Sequence, residues 1–167
     1  MASGDIAAIV LGIIPPGSDA ATMDARPGGS TPAENVHVYD FDASSDEYLD
    51  FECYALTAAG ITITHEFMMS SATTGNIEIE TALRRLDRSS EDIDAAHTYS
   101  YQSTGAEAVP GTSGVSKQVM TAHTTGAQMD NLAAGDRFIL RVKRDTTVTH
   151  NASGDMEYME PPIIKET

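Results

Sequence analysis

Five histidines, one cysteine and twenty-five acidic residues are the groups in this 167-residue chain that could do chemistry. His37, His65, His97, His123 and His150 fall one to a segment, with no HExxH or comparable spacing to bring two of them onto one metal. Cys53 stands alone, which excludes an intrachain disulfide and a thiolate cluster. Its strand-like surroundings, Tyr48 to Ala55, make it a small buried hydrophobe rather than a nucleophile. Carboxylates are so abundant that glycosidase-like pairs arise by chance and carry no signal. Gly111-Thr-Ser-Gly114 lacks the G-x-S-x-G pattern of a nucleophile elbow, and no phosphate-cradling glycine loop occurs. Hard oxygen ligands cluster in Asp40-Phe-Asp42-Ala-Ser-Ser-Asp46, so Asp40, Asp42 and Asp46 are the calcium candidates. Ser45 and Phe51 stand where a calcium-binding helix-loop-helix needs Gly and Glu, so the run reads as a solvated turn between strands. Asn151-Ala-Ser153 matches a glycosylation pattern but reads as a turn. The sequence thus predicts no catalytic residues, no metal and no cofactor.

Charge narrows the partners. Ten Lys and Arg against twenty-five Asp and Glu give a formal −15, and only Lys117, Lys143 and Lys165 are lysines. Such a surface repels a phosphate backbone, which excludes nucleic-acid binding through a basic face. It also suits a protein kept soluble in salty surroundings. The apolar share of 41% supports a core, and with no Trp, four Phe and six Tyr that core draws on Ile, Val, Leu, Met and Ala.

The elements that must position these groups are strands. Ile6 to Ile14 is a nine-residue apolar run preceded only by the charge of Asp5 and followed by Pro15-Pro16. It is too short to span a bilayer and lacks a signal peptide's basic start, so it reads as a buried or partner-covered strand. Pro15 to Pro32, rich in Pro, Gly, Ser, Ala and Asp, reads as a tether. From Val36 onward, alternating runs separated by turn residues predict strands over 36–42, 47–55, 61–67, 77–83, 97–102, 115–124, 136–145 and 155–165. Pro161-Pro162 should bend the last of these or confine it to an edge. Ala127 to Ala134 predicts one short helix closed by Gly135. The expected fold is all-β: an antiparallel β-sandwich or jelly roll of about eight strands with one short helix and an extended N-terminal arm. Residues 1–35 are the expected arm and tether, and 36–167 the jelly-roll domain.

Several of these segments resemble small jelly-roll structural proteins from the virions of tailed bacteriophages. The residues that carry the resemblance are Asp40-Phe-Asp42, Gly60-Ile-Thr-Ile-Thr64, Ala72-Thr-Thr-Gly-Asn-Ile-Glu-Ile79, Met129 to Asp145 with its Leu-Ala-Ala-Gly-Asp turn, and Ser153-Gly-Asp-Met-Glu157. The resemblance implies a non-enzymatic capsid decoration (cement) protein, a homo-oligomer and by expectation a trimer, bound to the major capsid protein on the outer surface of the head. No nucleic acid and no membrane enter that role. The arm then supplies the interface through Ile6, Ile9, Val10, Leu11, Ile13 and Ile14, adding as a strand to a neighbour's sheet edge. The alternative is a receptor- or carbohydrate-binding module on a tail or head fibre, for which Tyr39, Tyr48, Tyr99 and Tyr101 would be the aromatic platform. On the decoration reading, removing residues 1–32 leaves a folded domain that no longer cosediments with capsids.

Overall fold

Period-two alternation is the local instruction in the longer strands, and the computed structural model has β1 (Ala8–Ile14), β2 (Thr22–Pro27), β3 (Asn35–Phe41), β4 (Glu47–Ala55), β5 (Ile61–Met69), β6 (Asn76–Ile77), β7 (Ile79–Leu86), β8 (Gln102–Ser103), β9 (Glu107–Ala108), β10 (Lys117–His123), β11 (Arg137–Arg144) and β12 (Met156–Glu166). Residues 2–31, 33–87, 89–147 and 150–167 are described; Met1 and Pro32 of the expected arm lie outside them. The first sheet runs β1-β4-β11-β7-β8 and the second β10-β5-β12-β3-β2, with β6 and β9 as a small separate pair. Every neighbouring pair is antiparallel.

The two sheets close face to face because each carries an apolar inner face. Leu49, Phe51, Cys53, Phe138, Leu140 and Val142 point inward from β4 and β11. Ile61, Ile63, Phe67, Met69, Met156, Tyr158 and Phe41 meet them from β5, β12 and β3. Each such side chain, once fully buried, contributes about 1.5–3 kcal/mol. The sandwich is the all-β antiparallel fold that the alternation predicts.

Two polar features lie inside it. One is a chain of side chains between the sheets. His65 Nδ1 meets the Tyr158 hydroxyl at 2.8 Å and Nε2 meets the Thr121 hydroxyl at 2.9 Å. Thr81 Oγ1 donates to Thr121 Oγ1 at 2.8 Å and lies 2.8 Å from His123 Nε2. The other is Arg144, the last inward residue of β11, which is 1% exposed. Its Nη1 donates to the carbonyls of Phe41 (3.2 Å) and Gly154 (2.9 Å), and its Nη2 to that of Ala152 (3.0 Å). The guanidinium ties β11 of one sheet to the end of β3 and the approach to β12 in the other.

The N-terminal segment departs from expectation. Residues 4–14 and 22–27 are not a free arm but edge pieces of both sheets. Gly4 N–H donates to Glu166 O (2.8 Å), Ala7 N–H to Ile164 O (2.9 Å) and Glu166 N–H to Asp5 O (2.9 Å), so residues 4–7 lie along β12. The chain then crosses to the first sheet and pairs as β1 with β4, with a bulge between Val10 and Gly12. The expected tether contains β2, which pairs with β3 from Thr22 opposite Asp40 to Pro27 opposite Asn35. The physical reason is availability: the edges of β4 and β3 belong to the same chain, and loop closure across so few residues costs little.

Two smaller corrections follow, and the expected bend at the prolines is a bulge. The predicted helix at Ala127 is a single 3-10 turn, Gly126–Met129. Asp130 (φ 49°) and Asn131 (φ 53°) follow it, and two left-handed residues in a row cannot extend a right-handed helix. Of the strand expected over 97–102, only Gln102 enters a ladder, in β8. Pro161-Pro162 falls inside a bulge between Met159 and Ile163; before it β12 pairs with both β3 and β5, after it with β5.

The truncation expectation therefore reverses. Deleting residues 1–32 removes β1, β2 and the core residues Ala7, Ala8 and Ala21, and uncovers two sheet edges. Thermal melts by circular dichroism should show a markedly lower midpoint or no cooperative transition. A truncated chain melting like the full one would contradict the integrated edge strands.

Candidate binding face

The outer face of the first sheet is built by the same register that fills the core. Opposite Lys143, Arg141, Ile139 and Arg137 of β11 stand Tyr48, Asp50, Glu52 and Tyr54 of β4. Directly opposed unlike charges stabilise a sheet. Arg141 Nε donates to Asp50 Oδ1 at 2.8 Å and Nη2 to Oδ2 at 2.7 Å, the two-pronged geometry that suits a guanidinium and a carboxylate. That hydrogen-bonded pairing pushes the Arg141 pKa further up and holds its charge. Lys143 is half-buried, which works against its charge, yet the hydrogen bond and charge of Glu80 (2.6 Å) outweigh that and raise its pKa. Arg137 pairs with Glu52.

A crossing segment completes the face. After β7, Arg84 anchors the loop through Glu91 Oε1 (Nε, 3.0 Å) and the carbonyls of Asp92 (3.2 Å) and Ile93 (3.3 Å). The chain returns through His97, Tyr99 and Tyr101 into β8. The Arg141 guanidinium carbon lies 4.5 Å from the Tyr99 ring centre and 5.2 Å from that of Tyr48. Lys143 Nζ sits 5.1 Å from the Tyr101 centre, and the Tyr99 and Tyr101 rings are 5.9 Å apart. His97 packs edge-on to Tyr99 at 4.8 Å. Burial lifts the Tyr101 phenol's pKa, with Arg141 pulling against it. Three half-buried tyrosines from two distant segments thus gather on one arginine that an aspartate fixes in place. Rings with paired polar groups between them suit recognition of a ligand that has both apolar faces and hydroxyls.

Of the aromatic candidates from the sequence, Tyr48, Tyr99 and Tyr101 meet here, whereas Tyr39 is 7% exposed and belongs to the core. Arg141 and Asp50 join them, two residues that strand alternation does not mark as a site. Their signal was the run of charges alternating with apolar residues in β11, which marks an outer face but not what crosses it.

The calcium candidates separate. Asp42 is tied into its own turn, accepting from Ser44 N–H and Oγ–H and from Ser45 N–H, and these bonds lower its pKa. Asp46 turns away to Thr146, whose N–H and Oγ1–H donate to its Oδ1, and to Lys143. The turn directs successive side chains to opposite faces of the sandwich. Asp40 and Asp42 instead line a shallow cleft with Glu47, Asp155 and Thr22. Asp40 Oδ1 is buried without a hydrogen-bond partner among the described residues, and burial together with the charges of Glu157 and Asp24 lifts its pKa to about 6.

The interface candidates divide as well. Ile6, Ile9, Leu11 and Ile14 are about half exposed, whereas Val10 and Ile13 pack against the core. His65 and His123 meet through Thr121 and Thr81 between the sheets, whereas His37, His97 and His150 lie apart from them. Burial pushes His65 down to about 3, with repulsion from His123 adding to it, and burial pushes His123 down to about 4. Cys53 is fully buried and its thiol is pushed up to about 12, the inert state expected of it. A separate cavity of about 290 Å³ opens on the outer face of the second sheet among Arg26, Val36, Met68 and Met159. No aromatic ring lines it, and Arg26 is already bound to Glu157 and to the Met69 carbonyl.

No protein-family model and no curated protein matches this sequence. Among solved structures, the chain is similar in fold to the CBM22-1 xylan-binding domain from Paenibacillus barcinonensis Xyn10C. The likeness has a TM-score of 0.51 at 12% identity, over 98% of this chain and 95% of that one. A carbohydrate-binding module from Cellvibrio mixtus lichenase 5A in complex with cellotriose aligns with a TM-score of 0.40 at 12% identity, over 95% of this chain and 99% of that one. At this identity the first likeness establishes the β-sandwich fold and nothing finer.

The shifted groups give a pH profile. His65 and His123 have folded pKa values below the ordinary 6.5, so their contribution is whole above pH 6.5 and is lost as pH falls toward 4. The loss is about 1 kcal/mol per pH unit for each. Asp40 opposes them, because its raised pKa makes its ionised form a cost that protonation near pH 6 relieves. Melts should show a midpoint falling from pH 6.5 to 4.5. Asp40→Asn should stabilise by about 1 kcal/mol at pH 7, after allowance for screening, and much less at pH 4.5. A flat profile for the wild type, or a D40N gain independent of pH, would contradict these assignments.

Proposed function

We propose that this chain is a non-catalytic carbohydrate-binding β-sandwich whose ligand lies on the outer face of the first sheet. The observation that carries the reading is the convergence of Tyr48, Tyr99 and Tyr101 around the Arg141–Asp50 pair. Sugars offer C–H faces that stack on aromatic rings, and hydroxyls that bond to charged and polar groups between those rings. The fold likeness to a xylan-binding domain supports a module of the same general kind. The net charge of −15 favours neutral or cationic glycans over acidic ones.

A second reading keeps the bacteriophage resemblance: a virion protein decorating the capsid surface as a homo-oligomer, a trimer by expectation. What favours it is the edge strand β1, where Ile9, Leu11 and Ile14 are 49%, 53% and 46% exposed in an apolar row. An edge of that kind is a template for another chain.

Affinity electrophoresis against xylan, mannan and mixed-linkage β-glucan, with sedimentation analysis of the same protein, separates the two. The sugar reading expects retardation by at least one polysaccharide. Tyr99→Ala should weaken it by about tenfold or more, roughly 1.4 kcal/mol, with the fold intact. The virion reading expects an oligomer that Leu11→Lys dissociates. Failure of every polysaccharide to retard a folded, monomeric chain would remove both.

A further inference from the structure

We infer that Glu78, Asp145 and His150 form a binding site for one divalent transition-metal ion, of the chemistry of Zn²⁺. The three come from separate segments: Glu78 from between β6 and β7, Asp145 from directly after β11, and His150 from the connection into β12. One ligand atom of each lies within 4.8 Å of the others.

The imidazole decides the matter. Its side chain is 2% exposed, and neither ring nitrogen makes a hydrogen bond among the described residues. Nε2 stands 2.8 Å from Glu78 Oε2, near enough for an ion pair but oriented so that no hydrogen bond forms. A buried polar group left in that state costs about 1–3 kcal/mol. A cation on the Nε2 lone pair removes that cost and makes the short approach of imidazole and carboxylate a shared coordination. Two ligands at tetrahedral angles about one zinc stand roughly 3.3 Å apart, within a small side-chain movement of the separation here.

Both carboxylates are already braced from behind. Ser103 Oγ–H donates to Glu78 Oε1, which leaves Oε2 turned to His150. Asp145 Oδ1 accepts from Thr147 N–H (3.0 Å) and Oγ1–H (2.7 Å). Asp145 N–H donates to the Glu78 carbonyl at 3.1 Å, which locks the two segments together. Outer partners of this kind orient metal ligands and tune their affinity. The competing cation is Lys143, 3.8 Å from Asp145 Oδ1, but Glu80 at 2.6 Å and Asp46 at 3.3 Å hold it closer. One imidazole with two carboxylates is a borderline donor set that suits Zn²⁺, whereas Ca²⁺ and Mg²⁺ take oxygen alone. The ion would pin the connection before β12 to the start of β7, next to the Lys143–Tyr101 end of the aromatic face. It does not depend on the sugar reading.

The full chain, stripped with a chelator, is titrated with ZnCl₂ by calorimetry, with thermal melts alongside. The expected result is one equivalent bound and a raised midpoint that the chelator reverses, while MgCl₂ gives neither. Affinity should fall by about tenfold or more in both His150→Ala and Glu78→Gln. Should His150→Ala fail to fold, Glu78→Gln and the visible absorption of the Co²⁺-loaded wild type carry the test. Absence of Zn²⁺ uptake by the stripped wild type overturns the assignment and leaves only the direct contact of His150 with Glu78. Uptake unchanged in the two variants overturns it equally, by placing the ion on other histidines such as the exposed His37.

Discussion

The register of β4 against β11 is the constraint from which the rest of this protein follows. It places Phe138 opposite Cys53, Leu140 opposite Phe51 and Val142 opposite Leu49, all inward. The intervening residues necessarily face out, so Asp50 lands opposite Arg141 and Tyr48 opposite Lys143. Because side chains alternate with period two, a slip of one residue would bury Arg137, Arg141 and Lys143 and expose the core row. β11 is paired on both sides, by β4 and by β7, so such a slip would also break the Lys143–Glu80 and Arg144–Ile79 pairings. Core and outer face are thus two readouts of one register.

The same register creates a problem at Arg144, which its position sends inward. The guanidinium is accommodated because the sandwich ends there: strand-end carbonyls of Phe41, Ala152 and Gly154 turn toward it. Burial still presses its pKa down, and the charges of Asp155, Asp42 and Glu47 push back. A buried charge tied to partners is costly to break, about 3–5 kcal/mol, even where its net contribution is small. The acidic rim around that end therefore has a structural role, while burial first, and the charges of Glu157 and Asp24 after it, raise Asp40. Part of the chain's large negative charge answers one buried cation rather than the surrounding solvent.

Polar groups inside the sandwich divide into satisfied and unsatisfied ones, and the division is informative. His65, Thr121, Thr81 and His123 join hand to hand between the sheets, a network that fixes how the two inner faces sit on each other. The His150 side chain is 2% exposed and lies instead against the carboxylate of Glu78. Its ring nitrogens make no hydrogen bond among the described residues, whereas both ring nitrogens of His65 do.

Alternation in the sequence determined most of the long strands, which side of each is buried and the inertness of Cys53. These are properties that a residue and its nearest neighbours decide, because side-chain direction along an extended chain is a local matter. Which strand lies beside which was decided only in three dimensions. Ile6 to Ile14 reads the same whether its partner is a neighbouring molecule or β4, and the free edge of β4 settled it. Asp46 parted from Asp40 because one turn sends them to opposite sheets. Tyr99 and Tyr101 met Tyr48 through a loop whose path the sequence does not encode locally, and Glu78, Asp145 and His150 met across three loops. Pairing between distant segments is chosen by the total burial and hydrogen bonding of the whole sandwich, so no window of the sequence contains it.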